Sequence, residues 1–167
     1  DTKNIISLLK FLRKDEKTMH EYNIVDLFSG VGGLSYGFSK LPQFHILAAN
    51  EIEKDISIAY SLNHPSVKML NCDINDLSQD MLSEALCGKT VDIVIGGPPC
   101  QSYSTLGKRQ MDDRANLFLQ YKRVLKILRP RAFVFENVVG ILSMDKGNLF
   151  RQIQSEFVQL GYDLAYK

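Results

Sequence analysis

Cysteine, excess charge and long apolar runs are all scarce in this sequence. It has three cysteines, an odd number, and no two of them stand at CxxC spacing, so neither a disulfide framework nor a zinc site is indicated. Lysine and arginine total 20 against 19 acidic residues, so charge alone does not indicate nucleic-acid binding. No apolar run reaches the roughly 18 residues that span a bilayer. We therefore expect a soluble protein with no bound metal and no membrane contact, in a reducing compartment such as the cytoplasm.

The length and composition predict one globular unit. A chain of 167 residues can form one domain with a substantial core, and 45% hydrophobic with 23% charged residues is an ordinary globular composition. Apolar residues recur at helical spacing near the N-terminus, ahead of the polar run Arg13–Lys17. We predict an N-terminal helical extension over residues 1–20, with no assigned function, and a single domain over residues 21–167.

From Asn23 onward, short apolar runs alternate with helical patterns, which is typical of repeated βαβ units. The predicted fold class is α/β, with a doubly wound, mainly parallel sheet. The predicted strands are Asn23–Leu27, His45–Ala49, Val67–Leu70, Val91–Ile95 and Ala132–Phe135, and the predicted helices are Leu34–Ser39, Lys54–Leu62, Gln79–Leu86, Leu117–Leu128 and Leu149–Leu160. Cys100–Asn116 is a long polar loop of the kind that often carries function. Gly161–Lys167 has the pattern of another strand beginning, so the sheet is expected to be incomplete at the C-terminus.

Ligands of open parallel sheets bind beyond the carboxyl ends of the strands. The first strand runs into the glycine-rich turn FSGVGG (28–33), a weak signal alone, and Ser35 stands where a dinucleotide fingerprint would have glycine. Glu51, about 20 residues after Gly30, and Asp73 follow the next two strands, where carboxylates could reach a ribose and an adenine amino group. Each acid taken alone is more simply a helix cap or a turn residue. Together with the glycine turn they predict an adenosine pocket.

The fourth and fifth strands end in groups suited to covalent chemistry. GGPPCQS (96–102) places Cys100 after two rigid prolines at the start of the polar loop, whereas Cys72 and Cys87 are predicted to be ordinary small buried hydrophobic side chains. The segment ENV (136–138) places the carboxyl group of Glu136 at the neighbouring position of the same edge. A thiol and an acid so placed are candidates for a nucleophile and a proton donor.

These segments, in this order, resemble the catalytic domain of DNA (cytosine-5) methyltransferases, and the similarity covers about residues 23–167. DLFSGVGGLSYGF (26–38) is similar to the family's cofactor motif, GGPPCQSYS (96–104) to its nucleophile motif and ENV (136–138) to its acid motif. DDRANLF (112–118) is similar to a further family segment. The resemblance implies a Rossmann-like S-adenosylmethionine-dependent methyltransferase fold, with S-adenosyl-L-methionine as cofactor and S-adenosyl-L-homocysteine as its product.

The resemblance also implies roles for individual residues. Cys100 would add to C6 of a cytosine, and Glu136 would stabilise the charge that develops on N3. The residues implied to bind the cofactor are Phe28, Ser29, Gly30, Gly32, Gly33, Glu51, Ile52, Asp73, Ile74, Pro98 and Leu117. Those implied to bind the substrate are Pro99, Gln101, Ser102, Ser104, Lys108, Arg109, Asn137 and Val138, of which the two cations would face phosphates. No metal site is implied.

The implied substrate is double-stranded DNA with the target cytosine flipped out of the helix, since its ring is not accessible within the stack. The family continues with an arginine-bearing strand, a target-recognition domain and a returning segment, none of which is found in these residues. We therefore expect a fragment, or one half of a split enzyme whose second polypeptide carries the recognition domain. The alternatives are an RNA (tRNA) cytosine-5 methyltransferase and a non-catalytic binding module. The bacterial, restriction-modification type of member predicts a cytoplasmic or nucleoid-associated protein.

Overall fold

The computed structural model describes residues 20–99 and 117–166 of the chain. Its centre is a five-stranded sheet in the order β3-β2-β1-β4-β5, and every pairing in this sheet is parallel. The strands are β1 (Tyr22–Leu27), β2 (Phe44–Asn50), β3 (Lys68–Leu70), β4 (Ile93–Gly96) and β5 (Ala132–Phe135). The predicted doubly wound α/β fold is confirmed.

Within the described residues, five α-helices connect or follow these strands. They are α1 (Gly33–Ser39), α2 (Lys54–Asn63), α3 (Gln79–Leu86), α4 (Leu117–Leu128) and α5 (Asn148–Val158). Ser78 caps α3, because its hydroxyl accepts a hydrogen bond from the Met81 amide at 3.1 Å. α4 ends where Arg129 adopts a φ of 47°, immediately before Pro130. The sequence analysis did not predict the two short 3₁₀ helices Val139–Leu142 and Met144–Gly147 between β5 and α5.

The sheet is covered on both faces, as the continuous apolar character of its inner strands requires. One face carries the larger core, in which α3, α4 and α5 pack on Val25, Leu27 and Val94. The other face has a smaller cluster, in which Phe38 of α1 packs with Ile24, Phe44, Ile93 and Ile95. The alternation of faces along β1 directs Asp26 toward the α1 side, where it lies fully buried.

The carboxyl ends of the five strands form a level edge. The last paired residues are Leu70 of β3, Asn50 of β2, Leu27 of β1, Gly96 of β4 and Phe135 of β5, and each is aligned with its neighbour in the register. Phe28, Glu51, Asn71, Gly97 and Glu136 are therefore the first residues beyond one continuous row. This alignment brings the sequence-predicted groups to one side of the molecule.

Several predicted element bounds need correction. β4 begins at Ile93, because Asp92 and Val91 precede the ladder and the Asp92 carboxylate instead accepts the Asn23 amide at 2.9 Å. Cys87 is exposed and not buried as predicted, because it lies at the left-handed C-terminal cap of α3, and Cys72 is only half-buried. Residues 162–166 form no strand. Side chains hold them instead: the Tyr162 hydroxyl donates to the Pro130 carbonyl at 2.9 Å, and its ring packs on Phe133.

Two predictions lie outside the described residues. These are the helical extension, of which residues 1–19 are not described, and the polar loop Cys100–Asn116. Within residues 20–99 and 117–166, no helix is long and apolar enough to cross a membrane.

Candidate active site

The turn between β1 and α1 brings its backbone toward the strand edge. Phe28, Gly30 and Gly32 have φ angles of 53°, 55° and 95°, so the chain reverses through left-handed conformations. The Ser29 amide donates to the Asn50 carbonyl at 3.0 Å, which joins the turn to β2. At Gly32 a Cβ would lie 2.4 Å from His64 Nε2, so only glycine fits both the backbone and the space.

Glu51 is the acid that holds this turn. Its side chain is 8% exposed, and its Oε2 accepts the Gly30 amide at 2.9 Å while its Oε1 accepts the Glu53 amide at 2.9 Å. The carboxylate is therefore fixed between the glycine turn and the start of α2. Ile52 follows it with 56% exposure, which leaves an apolar surface beside the acid.

Asp73 lies beyond β3, the neighbouring strand. Its Oδ1 accepts both the backbone and the side-chain amide of Asn75 at 2.8 Å, and no described residue makes a hydrogen bond to its Oδ2. The side-chain amide of Asn50 donates to the carbonyls of Leu70 and Cys72 at 3.0 and 2.9 Å, which fixes the chain between β3 and Asp73. One oxygen of Asp73 thus serves the local turn, and the other can accept a hydrogen bond from a ligand.

A buried polar network lies beneath the glycine turn. The Ser35 hydroxyl donates to Asp26 Oδ2 at 2.7 Å, and the Tyr60 hydroxyl lies 2.7 Å from the same serine oxygen. Burial raises the pKa of Asp26 to about 7 and raises the pKa of Tyr60 above its usual range. The His64 ring stacks against Tyr60 and places Nε2 3.3 Å from the Gly32 carbonyl. Side chains of β1, α1 and α2 thus support the turn from inside.

The ends of β4 and β5 form the second half of the edge. A Cβ at Gly97 would lie 2.7 Å from Glu136 Oε2, so the carboxyl group of Glu136 lies directly over the Gly97 backbone. The Asn137 amide donates to the Pro98 carbonyl at 2.9 Å and ties the two strand exits together. Pro98 is buried, whereas Pro99 and Glu136 are exposed. The acid is therefore accessible beside the exit of β4.

The structure brings part of the predicted residue set together. Phe28, Ser29, Gly30, Gly32, Gly33, Glu51, Ile52 and Asp73 lie on the exits of β1, β2 and β3, and Pro98, Pro99, Glu136, Asn137 and Val138 on those of β4 and β5. Leu117 begins α4, half-buried, while the Ile74 side chain is only 3% exposed and packs in the core. Cys100, Gln101, Ser102, Ser104, Lys108 and Arg109 lie outside the described residues.

Sequence reasoning missed the supporting residues of this edge. Asp26 is in the quoted cofactor motif without a role, and Ser35 was noted only as a missing glycine. Tyr60 and Arg123 lie in predicted helices without a further role, and His64 lies beyond the predicted helix Lys54–Leu62 and has none either. The available signal was Ser35 in the predicted helix that follows Asp26, because a hydroxyl on the core side of a helix needs a hydrogen-bond partner.

The sequence model of the family described as C-5 cytosine-specific DNA methylase matches residues 22–167. The chain belongs to this family. The match includes the glycine turn, Glu51, Asp73, residues 96–104 and Glu136 in one continuous stretch.

Individual relatives are consistent with the family assignment. The chain is 40% identical to the type II methyltransferase M1.HphI of Haemophilus parahaemolyticus over 86% of its own length and 39% of the relative. It is 44% identical to M.DdeI of Desulfomicrobium norvegicum over 86% of its length and 35% of that protein. A crystal structure named for a prophage-encoded DNA modification methyltransferase of E. coli superposes with a TM-score of 0.71 and 29% identity, covering 83% of this chain and 38% of the other. The chain thus spans about two fifths of the length of these relatives.

Proposed function

We propose that this chain forms the cofactor-binding and chemical part of an enzyme that transfers a methyl group from S-adenosyl-L-methionine to C5 of cytosine in DNA. The observation that carries the proposal is the level strand edge, on which the turn held by Glu51 and the accessible acid Glu136 stand on opposite sides of β4. A cofactor and a base bound at the two halves of this edge would meet above the middle strands.

The donors and acceptors of the β1 to β3 exits suit an adenosine-bearing cofactor. The buried Ser29 hydroxyl has no hydrogen-bond partner among the described residues, and Asp73 Oδ2 has none either. Glu51 would accept hydrogen bonds from ribose hydroxyls, Asp73 from the adenine amino group, and Phe28 and Ile52 would cover the ring faces. When bound, S-adenosyl-L-methionine supplies an electrophilic methyl group on a sulfonium.

The chain's own residues would activate the base. Cytosine C5 is a weak nucleophile. Addition of the Cys100 thiolate to C6 makes C5 enamine-like, so that C5 becomes the stronger nucleophile that methyl transfer requires. The addition moves electron density to N3, where protonated Glu136 donates a hydrogen bond or its proton. After C5 has been methylated, loss of the C5 proton restores the double bond and expels the thiolate of Cys100. An intact cysteine and acid at these positions argue against a non-catalytic binding module.

DNA is the substrate favoured by the relatives. Several are named type II methyltransferases, and the relative from Aeropyrum pernix is named DNA (cytosine-5-)-methyltransferase M.ApeKI. Lys108 and Arg109 would contact phosphates, with Pro99, Gln101, Ser102, Ser104, Asn137 and Val138 around the flipped base. We assign the enzyme to the bacterial cytoplasm. No observation supports the second polypeptide that the sequence analysis expected.

The experiment is methyl transfer by the full-length enzyme to duplex DNA and to tRNA, with 5-methylcytosine measured by mass spectrometry. We expect product in DNA and none in tRNA. Cys100→Ser should abolish product while changing cofactor affinity by less than about threefold, because the hydroxyl is a far weaker nucleophile near neutral pH. Methylation of tRNA alone would establish the RNA alternative, and cofactor binding without product on either substrate would establish the binding module.

A further inference from the structure

Arg123 of α4 makes an unusual set of contacts with the β3–α3 turn, residues 73–77. Its Nη1 donates to the Leu77 carbonyl at 2.8 Å and its Nη2 to the Ile74 carbonyl at 2.6 Å. Its Nε donates to Gln120 Oε1 at 2.6 Å, one turn earlier on the same helix. All three bonds are partly buried, and a planar guanidinium is suited to such a fixed fork.

The carbonyl groups that Arg123 contacts occupy a position where regular structure does not satisfy them. Ile74 and Leu77 are 3% and 0% exposed, and Leu77 precedes the capping residue of α3. The Ile74 carbonyl also accepts the Leu77 amide, but at 3.3 Å. The Arg123 guanidinium therefore makes the shorter hydrogen bond to the Ile74 carbonyl and also binds the Leu77 carbonyl. These two carbonyls mark the ends of the segment that immediately follows Asp73.

The same segment determines where Asp73 points. The Asp76 amide donates to the Asp73 carbonyl at 3.0 Å, and Asn75 holds Asp73 Oδ1. A shift of the Ile74 or Leu77 carbonyl would therefore move the aspartate whose Oδ2 is without a hydrogen bond among the described residues. Leu117, implied to line the cofactor pocket, begins the helix that carries Arg123.

We propose that Arg123 is a positioning residue that fixes the adenine end of the cofactor site by joining α4 to the turn that carries Asp73. This inference rests on the proposed function, because it takes the bound group to be an adenine with a 6-amino hydrogen-bond donor. Arg123 itself does not contact the ligand. Its effect is selective for the adenine edge and leaves the ribose end at Glu51 unchanged.

The test is calorimetric titration of the full chain with S-adenosyl-L-homocysteine and with S-inosyl-L-homocysteine, in which a carbonyl replaces the 6-amino group. The wild type should prefer the adenine compound by about tenfold or more, since a site built to accept a hydrogen bond rejects a ligand lacking the donor. Arg123→Met should lose that preference through weaker binding of the adenine compound, with affinity for the inosine compound within about threefold of wild type. Arg123→Lys, which retains a charged donor group but not the planar fork, should recover part of the preference.

Two controls separate positioning from general stability. Arg131→Met makes the same chemical change at an exposed arginine next to β5 and should leave both affinities unchanged. Gln120→Leu keeps the guanidinium, removes only its orienting acceptor and should weaken the preference less than Arg123→Met, so it provides a folded variant if the latter unfolds.

The outcomes distinguish the two proposals. An unchanged adenine preference in Arg123→Met and Gln120→Leu, or an equal loss for both ligands, would overturn the positioning role. A wild-type chain that binds neither ligand would overturn the proposed cofactor site, and the role of Arg123 with it.

Discussion

Glu51 and Glu136 occupy equivalent places at the exits of two strands, yet they differ in exposure and in hydrogen bonding. Glu51 is 8% exposed and both of its carboxylate oxygens accept backbone amides. Glu136 is exposed, and among the described residues no hydrogen bond fixes its carboxyl group. The first acid is built into the fold before any ligand arrives, whereas the second can turn toward whatever occupies the edge. This difference fits an acid that binds and an acid that takes part in chemistry.

The largest expected effects come from two adjacent glycines on the Glu136 side. At Gly96 a Cβ would lie 2.4 Å from the Leu27 backbone oxygen, whereas at Gly97 its one close contact would be with the end of the Glu136 side chain, at 2.7 Å, and the Glu136 backbone oxygen would lie at an ordinary 3.5 Å. Gly96→Ala should lower the free energy of unfolding by about 3 kcal/mol or more, because backbone cannot move aside as a side chain can. Gly97→Ala should fold normally and lower the single-turnover methylation rate on the order of a hundredfold by displacing Glu136.

Urea unfolding and single-turnover assays of both variants check this prediction. A Gly97→Ala enzyme with full rate would show that the carboxyl group of Glu136 need not lie where it does. In that case the contrast between the two acids would lose its functional meaning.

The next prediction concerns the pH dependence of stability that comes from Asp26, which is buried beneath the glycine turn that Glu51 holds. Burial raises the pKa of Asp26 from 3.8 to about 7, Ser35 lowers it and the charge of Glu51 raises it. The folded state then holds this proton more tightly than the unfolded state between about pH 4 and 7, so this contribution to stability is lost as the pH rises toward 7. Asp26→Asn removes the titration, and its free energy of unfolding relative to wild type should rise by about 3 kcal/mol from pH 5 to pH 8.

Urea titrations at the two pH values measure this difference. The matched change Asp163→Asn, at an exposed aspartate, should leave the pH dependence as it is in the wild type. A constant difference between Asp26→Asn and wild type would mean that Asp26 is ionised in the folded protein throughout this range.

Removal of the fixed acid should affect binding. Glu51→Ala should weaken S-adenosyl-L-homocysteine binding by about tenfold to a hundredfold, since one or two charge-assisted hydrogen bonds of about 1.5–3 kcal/mol each are lost. Glu53→Ala, at the exposed neighbour, is the control and should bind normally. Calorimetry that gave equal affinities for both variants would place the ribose elsewhere.

The smallest expected effect is that of Asp73. Asp73→Ala should weaken the same ligand by about tenfold or less, because one oxygen of this acid already serves Asn75 and only Oδ2 is available to the adenine. The loss should disappear when the inosine analogue is titrated. A loss larger than that of Glu51→Ala would reverse the assigned order of the two acids.

Much of this arrangement was predictable from local sequence. The bounds of α3, α4 and β5 match the predictions, because apolar periodicity, the Ser78 cap and Pro130 all act within a few residues. The strand exits were predictable as well, since a parallel sheet brings its carboxyl ends to one edge. The site acids could therefore be named before their distances were known.

What could not be predicted depends on contacts between distant residues. Asp26, Ser35 and Tyr60 meet only when β1, α1 and α2 pack together, and Arg123 reaches carbonyl groups that precede it by 46 and 49 positions. The turn at Asp145 and Lys146 has φ angles of 47° and 55° without a glycine at either position, so turn chemistry gave no signal. The strand expected after Gly161 failed because Tyr162 anchors this segment through its side chain.

The most direct test of the division between binding acid and chemical acid is the single-turnover rate of methyl transfer at saturating S-adenosyl-L-methionine. It is measured in the full-length enzyme for wild type, Glu51→Ala and Glu136→Gln. We expect Glu51→Ala to reach within about threefold of the wild-type rate once saturated, and Glu136→Gln to remain about a hundredfold or more slower, because the amide cannot supply a proton. A Glu136→Gln enzyme at the wild-type rate, or a Glu51→Ala enzyme that stays slow at saturation, would contradict this division between a binding acid and a chemical acid.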